Sequence, residues 1–289
     1  MVATRILNPR NDIAFKKIFG TEQNKHLLIN FLNTVVGNQL SGSIKEVTFL
    51  KRDLDPETVG KKQSAVDVLV EDDNGIRYVV EMQVAGGEGF EKRAIFYASK
   101  AYVSQMNIGG KYQDLKEVIF LALCDFDIFP SKADYKSEHL IVDKKTFDQD
   151  LKGMSFTFVN LPKFDKEIKL GGKKVSELAL EEKWYYFLKH AEDLPLSGIE
   201  ALVGKDNIIK DAFNAIDAVN WQEHELYAYE DVIKAEMDAR WIKENQLAAA
   251  EQKGIATVAR KMLSKNKSLE EISEFTGLSI GELEKMKGN

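Results

Sequence analysis

A mixed α/β sheet core followed by an all-helical C-terminal region is the fold class predicted for this chain, and three observations predict it. Residues 65–70 and 77–84 read as two strands joined by Asp72-Asp73-Asn74-Gly75, a turn composition that closes a β-hairpin. Helix-like and strand-like apolar patterns follow one another up to Leu161 in the order helix, three strands, helix, strand. Beyond Leu161 the strand-like runs give way to helical ones.

Taken in order, helices are expected at about 11–19 and 23–37, the second carrying the stripe Leu27, Leu28, Phe31, Leu32, Val35 and Val36. A first strand is expected at 44–50, and the hairpin follows. After Gly86-Gly87-Glu88-Gly89 a helix is expected at 90–105. The apolar run 117–124 reads as a central strand, with further strands near 139–142 and 155–161. Helices are then expected at 175–192, 198–218 and 221–263, the last alanine-rich around 247–250 and open to a break at Gly254. A helix-turn-helix pair is expected at 268–287, with Leu269, Ile272, Phe275, Gly277, Leu278 and Leu283 at packing positions. These changes divide the chain into a core domain at 1–165 and a helical region at 166–289.

Composition narrows the function. The 289 residues carry a formal net charge of −6, which argues against a protein that coats nucleic acid without specificity. It leaves room for an acidic metal site with a local basic rim, and predicts salt-sensitive, metal-dependent DNA binding. The single cysteine, Cys124, sits in the apolar run and is expected to be buried. No stretch has a leader-like or membrane-spanning pattern, so a cytoplasmic protein is expected, without membrane association. The four histidines are scattered without zinc spacing. Asp125 and Asp127 follow a strand and are expected to flank a turn.

The hairpin carries acid where buried strands carry none. Asp67 interrupts Ala65-Val66-x-Val68-Leu69-Val70, and Glu81 interrupts Val79-Val80-x-Met82. A buried carboxylate is costly unless it is paired or binds a metal. If the loop is Asp73-Asn74-Gly75, Asp72 faces Ile76, Asp67 faces Glu81, and Gln83 shares their side. A two-residue Asn74-Gly75 loop would send the two acids to opposite faces. The longer loop groups Val66, Val68, Val70, Ile76, Tyr78, Val80, Met82 and Val84 on one apolar face, so that register is the one expected. The acids then read either as ligands for a divalent cation or as solvent-facing groups on a half-exposed strand.

Asp67, thirteen intervening residues, and Glu81-x-Gln83 resemble the core of the PD-(D/E)XK nuclease superfamily, whose last position is usually lysine. The opening Asn8-Pro9-Arg10-Asn11-Asp12-Ile13-Ala14-Phe15-Lys16-Lys17-Ile18-Phe19-Gly20 resembles the Rpn family, recombination-promoting nucleases and transposase-like proteins of bacteria. Leu161-Pro162-Lys163-Phe164, the segment 182–188, and the tail around 269–272 and 276–279 resemble that family in the same order. The resemblance implies a restriction-endonuclease-like nuclease domain at 1–165 and a metal-dependent DNA endonuclease whose breaks promote recombination or act against foreign DNA.

It also implies roles. Asp67 and Glu81 would ligate Mg2+ or Mn2+, hard cations suited to oxygen donors, with the Met82 carbonyl as a third ligand. Gln83 stands in the lysine position and can hydrogen bond but not carry charge, which leaves the general base open. Lys61 and Lys100 are lysines that could reach the site, or solvated surface groups. Asp12 reads either as an acid supporting the metal or its water, or as an acid favoured at a helix N-terminus. Arg93, Tyr97 and Lys100 recur at helical spacing, Arg93 being suited to a phosphate or to Glu81 and Tyr97 to the core. The preceding glycines lack the lysine and hydroxyl of a P-loop, so nucleotide binding is not expected. DNA is the expected partner, with Arg93, Lys61 and Lys100 as its contacts, and self-association is expected through the C-terminal helices. A second reading is a catalytically weak module for DNA or protein binding, supported by Gln83 and the acidic balance.

Overall fold

The computed structural model describes residues 5–52, 65–106 and 109–287. Among the described residues, six strands form one sheet in the order β1 (Val47–Phe49), β2 (Val68–Asp72), β3 (Arg77–Gln83), β4 (Val118–Cys124), β6 (Met154–Asn160) and β5 (Lys136–Leu140). The pairs β1–β2, β2–β3 and β5–β6 are antiparallel, while β3–β4 and β4–β6 are parallel. Every residue of β4 is buried, as its unbroken apolar sequence requires of a strand covered on both faces.

The hairpin adopts the expected three-residue loop. Val68 pairs with Val80 and Val70 with Tyr78, and the Asp72 N–H donates to the Ile76 carbonyl at 2.9 Å. Gly75 has φ +80°, the left-handed conformation that glycine accepts without strain. The Asp72 carboxylate fixes the loop by accepting the Asn74 and Ile76 N–H groups, each at 2.9 Å, and the Tyr78 hydroxyl at 3.0 Å.

Two details differ from the sequence reading. The strand starts at Val68, not residue 65, so Val66 leaves the expected alternation and packs with Leu69 and Val79. Both faces of the hairpin are also covered, and Glu81 is only 3% exposed. The acids therefore do not lie on a half-exposed strand.

Helix α3 (Phe90–Val103) returns the chain from β3 to the parallel strand β4, as a parallel pair demands. Ala94, Ala98 and Ala101 recur at i, i+4 and i+7, and these small residues pack in one core with Val79, Phe120 and Ala122. A second core is aromatic. Phe15 and Phe19 of α1 (Asp12–Phe19), Phe31 of α2 (Lys25–Val35), Trp184 and Phe187 of α5 (Leu180–His190) and Phe213 of α7 (Asn207–Ile216) form a chain of ring contacts. Such pairs add about 0.5–1.5 kcal/mol each beyond the area they bury.

The chain forms two compact units, Met1–Tyr229 and Glu230–Asn289, and the boundary expected near 165 falls inside the first. Trp184 is fully buried among Phe19 and Phe31, so α5 completes the core begun by the N-terminal helices.

Helix α4 (Leu161–Gly171) begins where only a strand end was expected; Asn160 accepts the Lys163 N–H at 2.9 Å and Pro162 sits in the first turn. The single helix expected at 198–218 is two, α6 (Leu196–Val203) and α7, separated at Gly204 with φ +53°. Helix α8 (Glu223–Ser264) runs through Gly254 without a break, since one glycine costs only about 1 kcal/mol in a helix of 42 residues.

The second unit contains most of α8, from Glu230 on, with α9 (Leu269–Thr276) and α10 (Ile280–Lys287). Ala259, Ile272 and Leu283 form its centre, with Met262, Leu263, Leu269, Leu278 and Met286 against it. Phe275, expected to pack, is 73% exposed; Leu269, Ile272, Leu278 and Leu283 pack as expected around the turn at Gly277, φ +72°. No described helix is long and apolar enough to cross a membrane.

Candidate active site

The hairpin register brings Asp67 and Glu81 together. Asp67 sits one residue before β2, and the two acids hold each other's strands. The Asp67 N–H donates to Glu81 Oε1 at 3.1 Å, and the Met82 N–H donates to Asp67 Oδ2 at 2.9 Å. Asp67 leaves regular strand geometry because its backbone takes a carboxylate rather than a ladder carbonyl as partner.

Burial raises the pKa of both acids above the usual carboxylate range. For Glu81 the Asp67 charge adds to burial, while the Asp67 N–H and more distant Arg93 and Lys16 oppose it. For Asp67 the Met82 N–H works against burial, the Asp12 charge reinforces it, and Lys16 opposes it. Two desolvated acids, Glu81 raised further by the Asp67 charge and Asp67 by that of Asp12, favour the arrival of a cation.

Asp12 opens α1, whose cap Asn11 accepts the Ile13 N–H at 3.0 Å. Its half-exposed carboxylate is bound by Lys16 at 2.6 Å, and Lys16 Nζ lies 3.9 Å from Asp67 Oδ1. Asp12 thus stands in the first turn of α1 and near enough to Asp67 for its charge to act there. Lys16 was not singled out from sequence. Its signal was its position one helical turn after Asp12, which puts both on one side of α1.

Gln83 does not act as a free group beside the acids. Its Nε2 donates to the Met82 carbonyl at 3.1 Å, and its Oε1 accepts from Arg93. Arg93, expected at a phosphate or at Glu81, pairs with Gln83 and lies 4.8 Å from the centre of the Phe90 ring. Lys100 lies over the exposed Phe96 ring at 4.6 Å, some ten residues along α3 from its start. Lys61 lies outside the described residues.

Asp125 does more than flank a turn. Its N–H donates to the Gln83 carbonyl at 2.8 Å, and its buried carboxylate binds Arg10 at 2.6 Å and also Lys189. It thereby ties the lead-in to α1 and the end of α5 to the end of β3. Cys124, its neighbour, is buried as expected, and burial pushes its thiol up to about 12.

The donors suit a hard divalent cation. Asp67, Glu81 and the Met82 carbonyl supply oxygen alone, and a cation would relieve two acids held above their ordinary pKa. Among the described residues no group of three or more His, Cys, Asp or Glu forms a ready-made cage.

The family model for the PD-(D/E)XK nuclease family transposases matches residues 9–246. No curated protein and no solved structure matches the chain. The matched stretch includes α1 with Asp12 and Lys16, the hairpin with Asp67 and Glu81, and the whole sheet, ending within α8. By this match over most of its length, the chain belongs to the PD-(D/E)XK nuclease family transposases.

Proposed function

We propose that this protein is a divalent-metal-dependent endodeoxyribonuclease that hydrolyses phosphodiester bonds in DNA. The observation that carries the reading is the opposition of Asp67 and Glu81 across the hairpin, with Asp12 and Lys16 beside them. Mg2+ or Mn2+ would be held by the two carboxylates and the Met82 carbonyl. Bound there, the ion supplies an acidified water and neutralises charge on the phosphate.

The chain's own groups do the rest. Lys16 provides the positive charge that Gln83 cannot, between Asp12 and Asp67. Asp12, half exposed, accepts a proton from water entering the site. Gln83 orients the Met82 carbonyl and anchors Arg93, whose exposed guanidinium receives a phosphate oxygen. Cleavage of this kind would promote recombination, or act against foreign DNA, in the cytoplasm. Self-association through the C-terminal helices belongs to the same reading; Met237, Trp241 and Leu247 are exposed on α8.

The test is plasmid cleavage with Mg2+, Mn2+ or chelator, comparing the parent with Asp67→Ala, Glu81→Ala and Lys16→Met. Metal-dependent nicking is expected, lost in both acid variants. Lys16→Met should slow it by roughly 100-fold, the low end of what one positioned charge-stabilising group contributes, without loss of metal affinity. One observation favours a second reading, a weakly catalytic DNA- or protein-binding module: Gln83 is already engaged by Met82 and Arg93. Metal binding without cleavage by any form would decide for it, and cleavage surviving both acid variants would sink the assignment of the site.

A further inference from the structure

An open cleft of about 550 Å³ begins at Gln83, two residues past Glu81 on β3. Its walls include Gly87, Gly89, Arg93, Phe96 and Tyr97. The volume is that of an ordinary small-ligand site. Phe96 is 50% exposed midway along α3. Cations surround it: Lys100 lies over the ring at 4.6 Å, and Lys92 and Arg93 line the same cleft. In a chain of net charge −6 this helix face is locally basic, with Glu88 as the acid in the lining.

An aromatic ring set among cations serves nucleic acid in one particular way. The cations follow the phosphate backbone, and the ring stacks on a base that has left its partner. Intact duplex offers no such base, because its rings are already stacked inside. The glycines leave the mouth open: a side chain at Gly87 or Gly89 would meet no neighbour within 4 Å, so a flat group can approach the backbone there.

We propose that this cleft holds an unpaired nucleotide of the DNA strand, so that the preferred substrate is single-stranded or locally opened DNA rather than intact duplex. The proposal rests on the nuclease reading for the fate of the strand but not for its binding. A nucleotide stacked on Phe96 hands the neighbouring phosphate to Arg93 and, through Gln83, to the acid pair.

The experiment is fluorescence anisotropy with a labelled oligonucleotide, single-stranded or annealed, in chelator so that no cleavage occurs. The parent should bind the single strand more tightly than the duplex. Phe96→Ala should weaken the single strand about tenfold, within the loss expected for one stacking side chain, and leave duplex binding unchanged. Phe96→Trp should restore it. Since Phe96 is exposed, its variants keep the fold, checked by unchanged thermal melting. Equal losses on both probes, no loss on either, or no binding of DNA by the parent overturns the proposal. So does a parent dimer that Phe96→Ala dissolves, which would assign the face to a second copy. Failure of the nuclease reading looks different: single-strand binding that depends on Phe96, with no metal-dependent cleavage.

Discussion

Glu81 is buried and Asp67 partly so, and burial is the chief cause that raises both pKa values, which fixes how the site responds to pH. A cation needs both deprotonated, so affinity should climb as pH rises through and above the ordinary carboxylate range, with protons released on binding. The same shifts act on stability with opposite sign. Carboxylates raised in the folded state stabilise it fully below their unfolded pKa, and the contribution is lost as pH rises through the folded values. The metal-free protein should therefore lose stability on going from weakly acidic to weakly alkaline pH, and Mn2+ should restore it most at the alkaline end. Titration calorimetry in buffers of different ionisation enthalpy checks the proton release, and melting across pH checks the stability. A metal affinity flat in pH would show that the acids ionise normally.

At this scale the sequence was informative about the acids and silent about their support. Asp67 and Glu81 stood out because they interrupt apolar runs, and Gly75 with its neighbours set their register. Lys16 and Asp125 did not stand out, because a lysine on a helix and an aspartate after a strand are ordinary until tertiary contacts join them to Asp12, Asp67, Arg10 and Lys189.

The hairpin is the element on which the site depends, and Asp72 holds its turn. Its carboxylate satisfies two backbone N–H groups and the Tyr78 hydroxyl from a position only 8% exposed. Asp72→Ala should cost about 3 kcal/mol, the upper range for losing hydrogen bonds to a charged group, and should weaken metal binding by loosening the register that aligns Asp67 with Glu81. Asp72→Asn keeps an acceptor for the two amides and should recover most of both. Urea unfolding with an unchanged slope would attribute the loss to stability, and a normal metal affinity in Asp72→Ala would show that the register does not depend on this turn. Elements were legible where periodicity was long, as in α2 and β4, and missed where a cap decided. Helix α4 is announced by Asn160 and Pro162 rather than by an apolar stripe, and α6 and α7 separate on a single left-handed glycine.

For the whole molecule, the order of strands and helices was readable because each segment carries its own pattern, but the extent of the first unit was not. Trp184 looks like any apolar residue of a C-terminal helix; only the rings it meets on α1 and α2 make it part of the core. The boundary followed from packing between segments far apart in sequence, which local composition does not encode.

The solitary Cys124 has a practical consequence. It lies on the innermost stretch of the sheet, level with Gln83 on the adjacent strand, and is fully enclosed. With no second thiol in the chain, any reaction with a disulfide reagent such as Ellman's must report an opening of the core around Cys124, where α3 packs on the sheet. The protein thus carries its own clock for opening at the end of the sheet where the acids meet. Labelling should be slow in the native state, should accelerate with urea in step with unfolding, and should slow further when Mn2+ is added. Rapid labelling of the native protein would mean that the core between α3 and the strands beside the acid pair opens freely, so that the site is assembled by its substrate rather than waiting for it.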